Sequence, residues 1–280
     1  MRYLIVGCGN VGMELARALT ADGQIVIGTT TTPDRVPQVR EVCADVAVLR
    51  GDDAAAVAAA AAGVDAVVVT VSPRLTRAVS PQLRAEEYAA ALTATARSAA
   101  AAHDRVVLAS STSVYGRAAD AVAPLDETAP TTDSADPSPV NFLAAERAVL
   151  ASPRGAAVRL PDVYGHPRDL DYVRRVELAH SMMGGRVPFC PDALLYRIDY
   201  RDAALALRHV AEHGLAGVFN AVPDAQTPPT NAEVFSAITT AAGLPELTYR
   251  CQIEAPVVPI SSARLRSTGF GFRHSTTPRP

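Results

Sequence analysis

The sequence contains no lysine and no tryptophan, and all 26 of its basic residues are arginine. Any mechanism that needs a lysine ammonium or amine from this chain is therefore excluded, and no tryptophan is available to stack on a ligand. Long apolar runs are also missing: none reaches about 18 residues without a charge or a helix breaker, so no membrane-spanning helix is predicted. The formal net charge of −3 argues against nucleic acid or an anionic membrane as the main partner.

Cysteine occurs at only four scattered positions, none of them in CxxC spacing: Cys8, Cys43, Cys190 and Cys251. This pattern favours free thiols in a reducing compartment over a disulfide framework or a zinc site. The histidines also lack metal-site spacing, so no metal is expected. The opening MRYLIVGCGN has no signal-peptide pattern, and we therefore expect a cytoplasmic protein.

The pattern of the first half of the chain is an alternation of short apolar strands and amphipathic helices. The predicted strands are residues 3–6, 25–27, 47–49, 66–71, 105–109 and 156–160, and the main helices are residues 11–19, 81–102 and 142–150. Strands buried on both faces and separated by helices predict an α/β fold with a doubly wound parallel sheet, the Rossmann fold. Ligands of such sheets bind at the carboxyl ends of the strands.

The second half is less regular. We expect residues 1–165 to form an NAD(P)-binding Rossmann domain, and residues 166–280 a smaller, partly interleaved substrate-binding lobe without a core of its own. Its predicted elements are helices over residues 169–183 and 231–242 and strands over residues 218–221 and 250–253, before a frayed polar tail from residue 275. Residues 118–140 are predicted to be a long surface loop, a feature that is often functional.

A glycine-rich run follows the first strand and opens the first helix: Gly7-Cys8-Gly9-Asn10-Val11-Gly12. In this GxGxxG pattern Gly7 allows the tight turn, Gly9 lets the backbone approach a pyrophosphate, and Gly12 lets helix and strand pack closely. The helix N-terminus then presents free N–H groups and a positive dipole end to the phosphates. We therefore expect Gly7, Gly9, Asn10, Val11 and Gly12 to bind a dinucleotide.

The end of the second strand bears on the choice between NAD and NADP. An NAD site places an acidic residue about 20 residues after the glycines, but this chain has Thr29 and Thr30 there, and no acid before Asp34. Hydroxyl groups with Arg35 nearby suit a 2′-phosphate, so we favour NADP and keep NAD as the alternative. Arg35 alternatively begins a solvated helix. Asp52 is a candidate partner for the adenine amino group, whereas the next residue, Asp53, is equally placed to cap a helix.

Several collinear segments resemble the short-chain dehydrogenase/reductase superfamily, in its extended or atypical branch of the NAD-dependent epimerase/dehydratase type. They are the glycine run, SSTSVYG (110–116), the acidic pair 126–127, VRLPDVYG (158–165), RIDYRDA (197–203), GVFN (217–220) and residues 265–272. The resemblance also places Thr70, Ser72 and Pro161 against the cofactor.

In that family a Ser or Thr, a Tyr and a Lys act together beside the nicotinamide. By the resemblance, the first falls on Ser111, four residues before Tyr115. Counting back from Glu146, the tyrosine position holds Ser138 and the lysine position holds Phe142. Ser138 cannot replace a phenol, because a serine hydroxyl is far less acidic and reaches less far.

A second tyrosine is the candidate proton donor. Tyr164 and Tyr115 both follow strands whose ends face the nicotinamide in this architecture, and each is alternatively a packed loop aromatic. Arg159 either raises the local positive potential or forms a structural ion pair. His166 is a candidate for the substrate cleft. Arg168, Arg174 and Arg175 either bind an anionic substrate or solvate a helix.

Two functions stay open at this point. The first is an NADP-dependent oxidoreductase or epimerase acting on a hydroxyl or carbonyl group of a small metabolite, with Ser111 at the reacting oxygen. The second is an NAD(P)-binding protein without net redox activity, such as an isomerase, a cyclase or a redox-sensing regulator. The resemblance allows a homodimer through the alanine-rich residues 86–102, which suit packing within the chain equally well.

Overall fold

Seven parallel strands form the central sheet of the computed structural model, which describes residues 1–73 and 80–275. In chain order the strands of the described residues, including those outside the central sheet, are β1 (Arg2–Val6), β2 (Ile25–Thr30), β3 (Asp45–Val48), β4 (Ala66–Val69), β5 (Val106–Ser111), β6 (Ala156–Leu160), β7 (Asp162–Tyr164), β8 (Arg186–Phe189), β9 (Arg197–Asp199), β10 (Gly217–Asn220) and β11 (Thr248–Ile253). The sheet order is β10-β6-β5-β4-β1-β2-β3, so the predicted doubly wound parallel sheet is confirmed. The strand order reverses between β1 and β4, where a crevice opens at the carboxyl ends.

Helices cover both faces of this sheet. In chain order the helices of the described residues are α1 (Asn10–Ala21), α2 (Val36–Arg40), α3 (Ala54–Ala60), α4 (Pro81–Tyr88), α5 (Thr95–Ala102), α6 (Pro137–Leu150), α7 (Tyr172–Met183), α8 (Tyr200–Glu212), α9 (Asn231–Ala242) and α10 (Ala263–Ser267). Of these, α7 and α9 pack in the smaller lobe instead. The predicted helix over residues 81–102 is helical throughout, but a wider π-helical segment, Ala89–Ala94, joins α4 to α5. None of the helices in the described ranges is long and apolar enough to cross a bilayer.

The sheet is buried on both sides by separate apolar clusters. On one face Leu15 and Leu19 of α1 pack with Leu207 of α8. On the other face Leu92 and Val149 belong to the cluster that covers β4 and β5. Because each central strand is covered on both faces, its sequence is a continuous apolar run rather than an alternation.

The smaller lobe has a core of its own, so the prediction that it lacks one is wrong. The members of this core are Val176, Ala179, Val187, Val234, Phe235 and Leu247. They come from α7, α9, the two-stranded sheet of β8 and β11, and the segment before β11. Each segment supplies only one or two apolar residues, and these face one another only after folding, so no single segment shows the pattern.

Two of the four cysteines form a disulfide, which corrects the prediction of free thiols. Cys190 directly follows β8, and Cys251 lies within β11; the pairing of these two strands brings the residues together across 61 positions of sequence. Cys8 and Cys43 are free and buried. The spacing of the cysteines could not show the pair because the contact is created by the lobe's tertiary structure.

Capping side chains explain where two helices begin. α6 starts at Pro137, because the Asp136 carboxylate accepts the N–H of Ser138 at 2.8 Å; the predicted loop over residues 118–140 therefore ends earlier. α7 starts after Asp171, whose carboxylate accepts the N–H of Arg174 at 2.7 Å.

β4 ends at Val69, two residues earlier than predicted. In the predicted frayed tail, Ser275 donates its N–H to Asp202, and residues 276–280 lie outside the described ranges.

Candidate active site

The glycine turn between β1 and α1 is fixed by two threonine hydroxyls. Gly7 has a φ of 106°, a conformation that favours glycine. Its N–H donates to Thr29 Oγ1 at 2.9 Å, and its carbonyl oxygen accepts from Thr70 Oγ1 at 2.7 Å. The predicted residues Thr29 and Thr70 therefore hold the turn from the neighbouring strands β2 and β4.

The other two glycines have different surroundings, as the sequence predicted. A Cβ on Gly12 would lie 2.3 Å from the carbonyl oxygen of Gly7, whereas a Cβ on Gly9 would meet nothing within 4 Å. Gly9 is the N-cap of α1 and lines the open cleft, so no side chain competes for the first-turn amides. This is the cradle a diphosphate needs. Val11 packs against the apolar cluster below and offers only its backbone.

The cleft runs along the carboxyl ends of β1, β2 and β4. The residues on its walls that the sequence predicted are Gly7, Gly9, Thr29, Thr30, Arg35, Asp52, Thr70 and Ser72. Arg50, Glu87 and Thr95 also line it and were not predicted. Glu87 and Thr95 come from the helical segment of residues 81–102, in which Thr95 packs against Gly51 after β3. This approach depends on tertiary packing, and no local motif indicates it.

Two arginines occupy the end of the cleft beyond β2. Arg35 Nη2 donates to the carbonyl oxygen of Cys8 at 2.8 Å, which fixes the guanidinium beside the glycine turn. Arg50 pairs with Asp52 through two hydrogen bonds of 2.9 and 2.7 Å, and these bonds hold the pKa of Asp52 below its usual value. The neighbouring Asp53 caps α3 by accepting the N–H of Ala56, so its predicted capping role is confirmed, while the role of Asp52 toward adenine stays a prediction.

The end of β5 separates the predicted catalytic residues. Ser111 is half-buried, and its hydroxyl oxygen accepts the N–H of Ser113 at 3.1 Å. Tyr115 is 2% exposed, and its hydroxyl donates to Asn220 Oδ1 at 2.8 Å and to the Asp126 carbonyl oxygen at 3.0 Å. Burial raises the pKa of Tyr115. The structure therefore places the Tyr115 hydroxyl inside the protein, among structural partners.

The sequence left open whether Arg159 of β6 raises the local positive potential or forms a structural ion pair, and the structure shows the ion pair. Arg159 forms two hydrogen bonds with Glu146, of 2.9 and 2.8 Å, and both side chains are almost fully buried. Ser110 donates to the same carboxylate at 2.6 Å. The Arg159 guanidinium also lies 4.8 Å from the ring centroid of Tyr115. This network joins β5, β6 and α6 behind the cleft.

Tyr164 lies at the end of β7, where the pairing of β7 with β9 brings Arg197 to it. The Arg197 guanidinium carbon is 4.7 Å from the ring centroid of Tyr164 and 5.0 Å from that of Tyr172. Asp162 accepts from the Tyr172 hydroxyl and pairs with Arg175 at 3.1 Å. Pro161, buried at the start of this segment, connects the cluster to β6.

The first turns of α6 carry the residues at the expected tyrosine and lysine positions. The Ser138 N–H donates to Asp136, and Phe142 packs against buried apolar residues on both sides of α6. Arg84 of α4 pairs with Asp136 at 3.2 Å, which brings a cation near Ser138 that the sequence did not indicate. Among the described residues, no group of His, Cys, Asp and Glu is arranged to hold a metal ion.

Comparison with known proteins identifies the family of the chain. A family model described as NAD(P)H-binding matches residues 7–149, just over half of the chain. The sequence has no significant match among the curated proteins.

Several solved structures share the fold. The enzyme WbmG of Bordetella bronchiseptica, solved with NAD, is 19% identical with a TM-score of 0.77, over 99% of this chain and 90% of that chain. A short-chain dehydrogenase/reductase superfamily protein of Agrobacterium tumefaciens with bound NAD is 21% identical with a TM-score of 0.73, over 98% and 93%. The UDP-glucose 4-epimerase of Bifidobacterium longum, solved with NAD⁺ and UDP, is 16% identical with a TM-score of 0.72, over 98% and 94%. The chain therefore belongs to the NAD(P)H-binding family, and it has the fold of the short-chain dehydrogenases/reductases of the epimerase type.

Proposed function

We propose that the protein is an NADP-dependent oxidoreductase or epimerase that acts on a hydroxyl or carbonyl group of a small metabolite. The observation that carries the proposal is the end of β2. There the cleft is bordered by Thr29, Thr30 and the fixed guanidinium of Arg35, where an NAD site would have a carboxylate. The nearby Asp52 is already paired with Arg50, so it does not repel a 2′-phosphate strongly.

The chain's own groups have defined roles in this proposal. The cofactor, when bound, supplies or accepts a hydride at its nicotinamide ring. Ser111 accepts a hydrogen bond from the Ser113 N–H, which leaves its O–H free to donate to the reacting oxygen. Tyr164 exchanges the proton with that oxygen, and Arg197 on its ring places positive charge beside this step. The Tyr115 hydroxyl has no part in it, because it is committed to Asn220.

Titration calorimetry tests the cofactor preference. We expect NADPH to bind more tightly than NADH, and Arg35→Ala to weaken NADPH by about tenfold to a hundredfold, because a charged hydrogen bond is lost. The affinity for NADH should change little. Arg40→Ala removes an exposed positive charge from the adjacent helix and serves as the control. Equal affinity for the two cofactors would refute the NADP preference, and failure of both to bind would refute the whole proposal.

A second candidate is binding of NAD(P) without net redox chemistry. Ser138 and Phe142, at the positions where the related family has its Tyr and Lys, favour it. The test is absorbance at 340 nm across a panel of carbonyl and hydroxyl compounds. Because an epimerase regenerates its cofactor without a net absorbance change, the same panel is analysed for epimerised products. Tight NADPH binding with neither absorbance change nor epimerised product, together with activity gained by the Ser138→Tyr/Phe142→Lys double variant, would support this candidate. Redox turnover by the wild type with a silent double variant would reject it. The homodimer through residues 86–102 and the cytoplasmic location stay predictions.

A further inference from the structure

The loop that follows β7 returns to the start of α1 and binds the side chain of Asn10. Arg168 Nη2 donates to Asn10 Oδ1 at 2.7 Å, and Asn10 Nδ2 donates to Asp169 Oδ1 at 3.0 Å. Both polar atoms of the Asn10 amide are therefore used by two consecutive residues that lie about 159 positions further along the chain. Asn10 is the first residue of α1 and belongs to the glycine run.

The loop is ordered by its own hydrogen bonds. The His166 N–H donates to Asp169 Oδ2 at 3.2 Å, and the Asp169 N–H donates to the His166 carbonyl oxygen at 2.8 Å. The Arg168 N–H donates to His166 Nδ1 at 3.1 Å, and the His166 ring packs edge-on against Tyr200 at 5.1 Å. Because the loop is fixed at these points, the Arg168 side chain is directed to Asn10 by structure rather than by chance.

Among the described residues Arg168 has no direct ion pair, unlike its neighbours, and the nearby Asp169 carboxylate is bonded to the other end of the same Asn10 amide, at 3.0 Å. Arg174 pairs with Glu177 and Arg175 pairs with Asp162. Within residues 1–73 and 80–275 Arg168 forms no ion pair, and its side-chain hydrogen bond is to a neutral amide. An exposed guanidinium held by a neutral group keeps most of its donors available for an anion.

The anion that fits this position is the diphosphate of a dinucleotide. The uncapped first turn of α1 and the open space at Gly9 form its cradle, and Arg35 is fixed on one side of the turn through the Cys8 carbonyl. Arg168 is fixed at the same turn through Asn10, from the other lobe. We propose that Arg168 is a diphosphate-binding residue supplied by the smaller lobe, and that Asn10 is the residue that positions it; this rests on the dinucleotide site proposed above.

This arrangement links cofactor binding to the part of the protein that faces the substrate. The loop of residues 165–171 lies between Tyr164 and Tyr172, which enclose Arg197. A dinucleotide that binds Arg168 therefore also stabilises the position of that aromatic cluster.

Calorimetry on the full chain with four ligands tests the inference. NADPH, NADH and ADP-ribose all contain the diphosphate, whereas adenosine 2′-monophosphate lacks it. We expect Arg168→Ala to weaken the three diphosphate ligands by a similar factor of about ten, with less loss at high salt, and to leave adenosine 2′-monophosphate within about twofold. Arg17→Ala, which removes an exposed guanidinium from α1 itself, is the control and should change none of the four by more than about twofold.

The Asn10→Ala variant separates positioning from binding. It should lose part of the same affinity, and the Arg168→Ala/Asn10→Ala double variant should bind no more weakly than Arg168→Ala alone; thermal unfolding checks that both variants are folded. If Arg168→Ala affects binding no more than Arg17→Ala, the inference is wrong although the dinucleotide site stands. If the wild type binds none of the four ligands, the proposed function itself fails.

Discussion

The carboxyl edge of the sheet is built differently at its β1–β2–β4 end and at its β5–β6 end. At the β1–β2–β4 end, each key polar group is bonded to the glycine turn: Thr29 and Thr70 hold Gly7, and Arg35 holds the carbonyl of Cys8. At the β5–β6 end, Tyr115 is turned into the core, where its hydroxyl is bonded to Asn220. At the first end polar side chains hold the glycine turn, whereas at the second end the Tyr115 hydroxyl is bonded to buried structural partners.

This difference indicates which side chains are available for the proposed reaction. Tyr115 and Arg159 are committed to buried partners, so the proposed reaction depends on Ser111 and on the cluster of Tyr164, Tyr172 and Arg197.

The largest effect is expected where the two tyrosines are compared. Tyr164→Phe should lower kcat by about 10²–10⁴, the usual contribution of a positioned proton donor. Tyr115→Phe should leave kcat nearly unchanged and destabilise the protein by about 1–3 kcal/mol, because Asn220 loses a buried donor. Steady-state kinetics at 340 nm and thermal unfolding measure the two. The reverse assignment, with kcat lost in Tyr115→Phe, would break the contrast.

Behind the β5–β6 end, Glu146→Gln should reduce the free energy of unfolding by about 3–5 kcal/mol, because it leaves the buried Arg159 without its counter-charge. The exposed pair of Arg174 and Glu177 provides the matched control: Glu177→Gln should cost less than about 1 kcal/mol. Urea unfolding compares the two variants. Similar losses for both would mean that the Arg159 network has no special weight in stability.

How far these features could be predicted from the sequence depends on the distance over which they are formed. The glycine turn, the parallel sheet and α9 are local patterns, and the structure confirms them. The bonds from Asn10 to residues 168 and 169 join distant segments, so no local spacing indicates them. The orientation of Tyr115 was left open for the same reason, since its partner Asn220 lies 105 residues away.

The disulfide lies in the smaller lobe, so its removal tests that lobe independently of the cleft. Replacing Cys190 and Cys251 with Ser should destabilise the lobe by about 2–4 kcal/mol, because the crosslink restricts the unfolded chain. The affinity for NADPH should stay within about twofold, since the sheet and the glycine turn do not depend on β8 and β11. Differential scanning calorimetry and a binding titration test both statements.

The free thiols Cys8 and Cys43 provide the comparison: Cys43→Ser should not reproduce the effect of losing a crosslink. A large loss of NADPH affinity in the disulfide variant would show that the lobe controls the cleft more strongly than proposed.

The smallest effect on stability, and the cleanest comparison at the β1–β2–β4 end, is expected from the two glycines of the turn. Gly12→Ala should destabilise the protein by about 1–3 kcal/mol, because its Cβ would lie 2.3 Å from the Gly7 carbonyl oxygen and the helix must shift.

Gly9→Ala has an allowed backbone conformation, with φ at −80°, and open space for the methyl group, so the free energy of unfolding should be unchanged. Its methyl group would instead occupy the cradle of the diphosphate and weaken NADPH and NADH alike. Thermal unfolding without ligand, followed by calorimetric titration, distinguishes the two glycines. A Gly9→Ala variant that binds NADPH normally would mean that the diphosphate does not approach the backbone at this position.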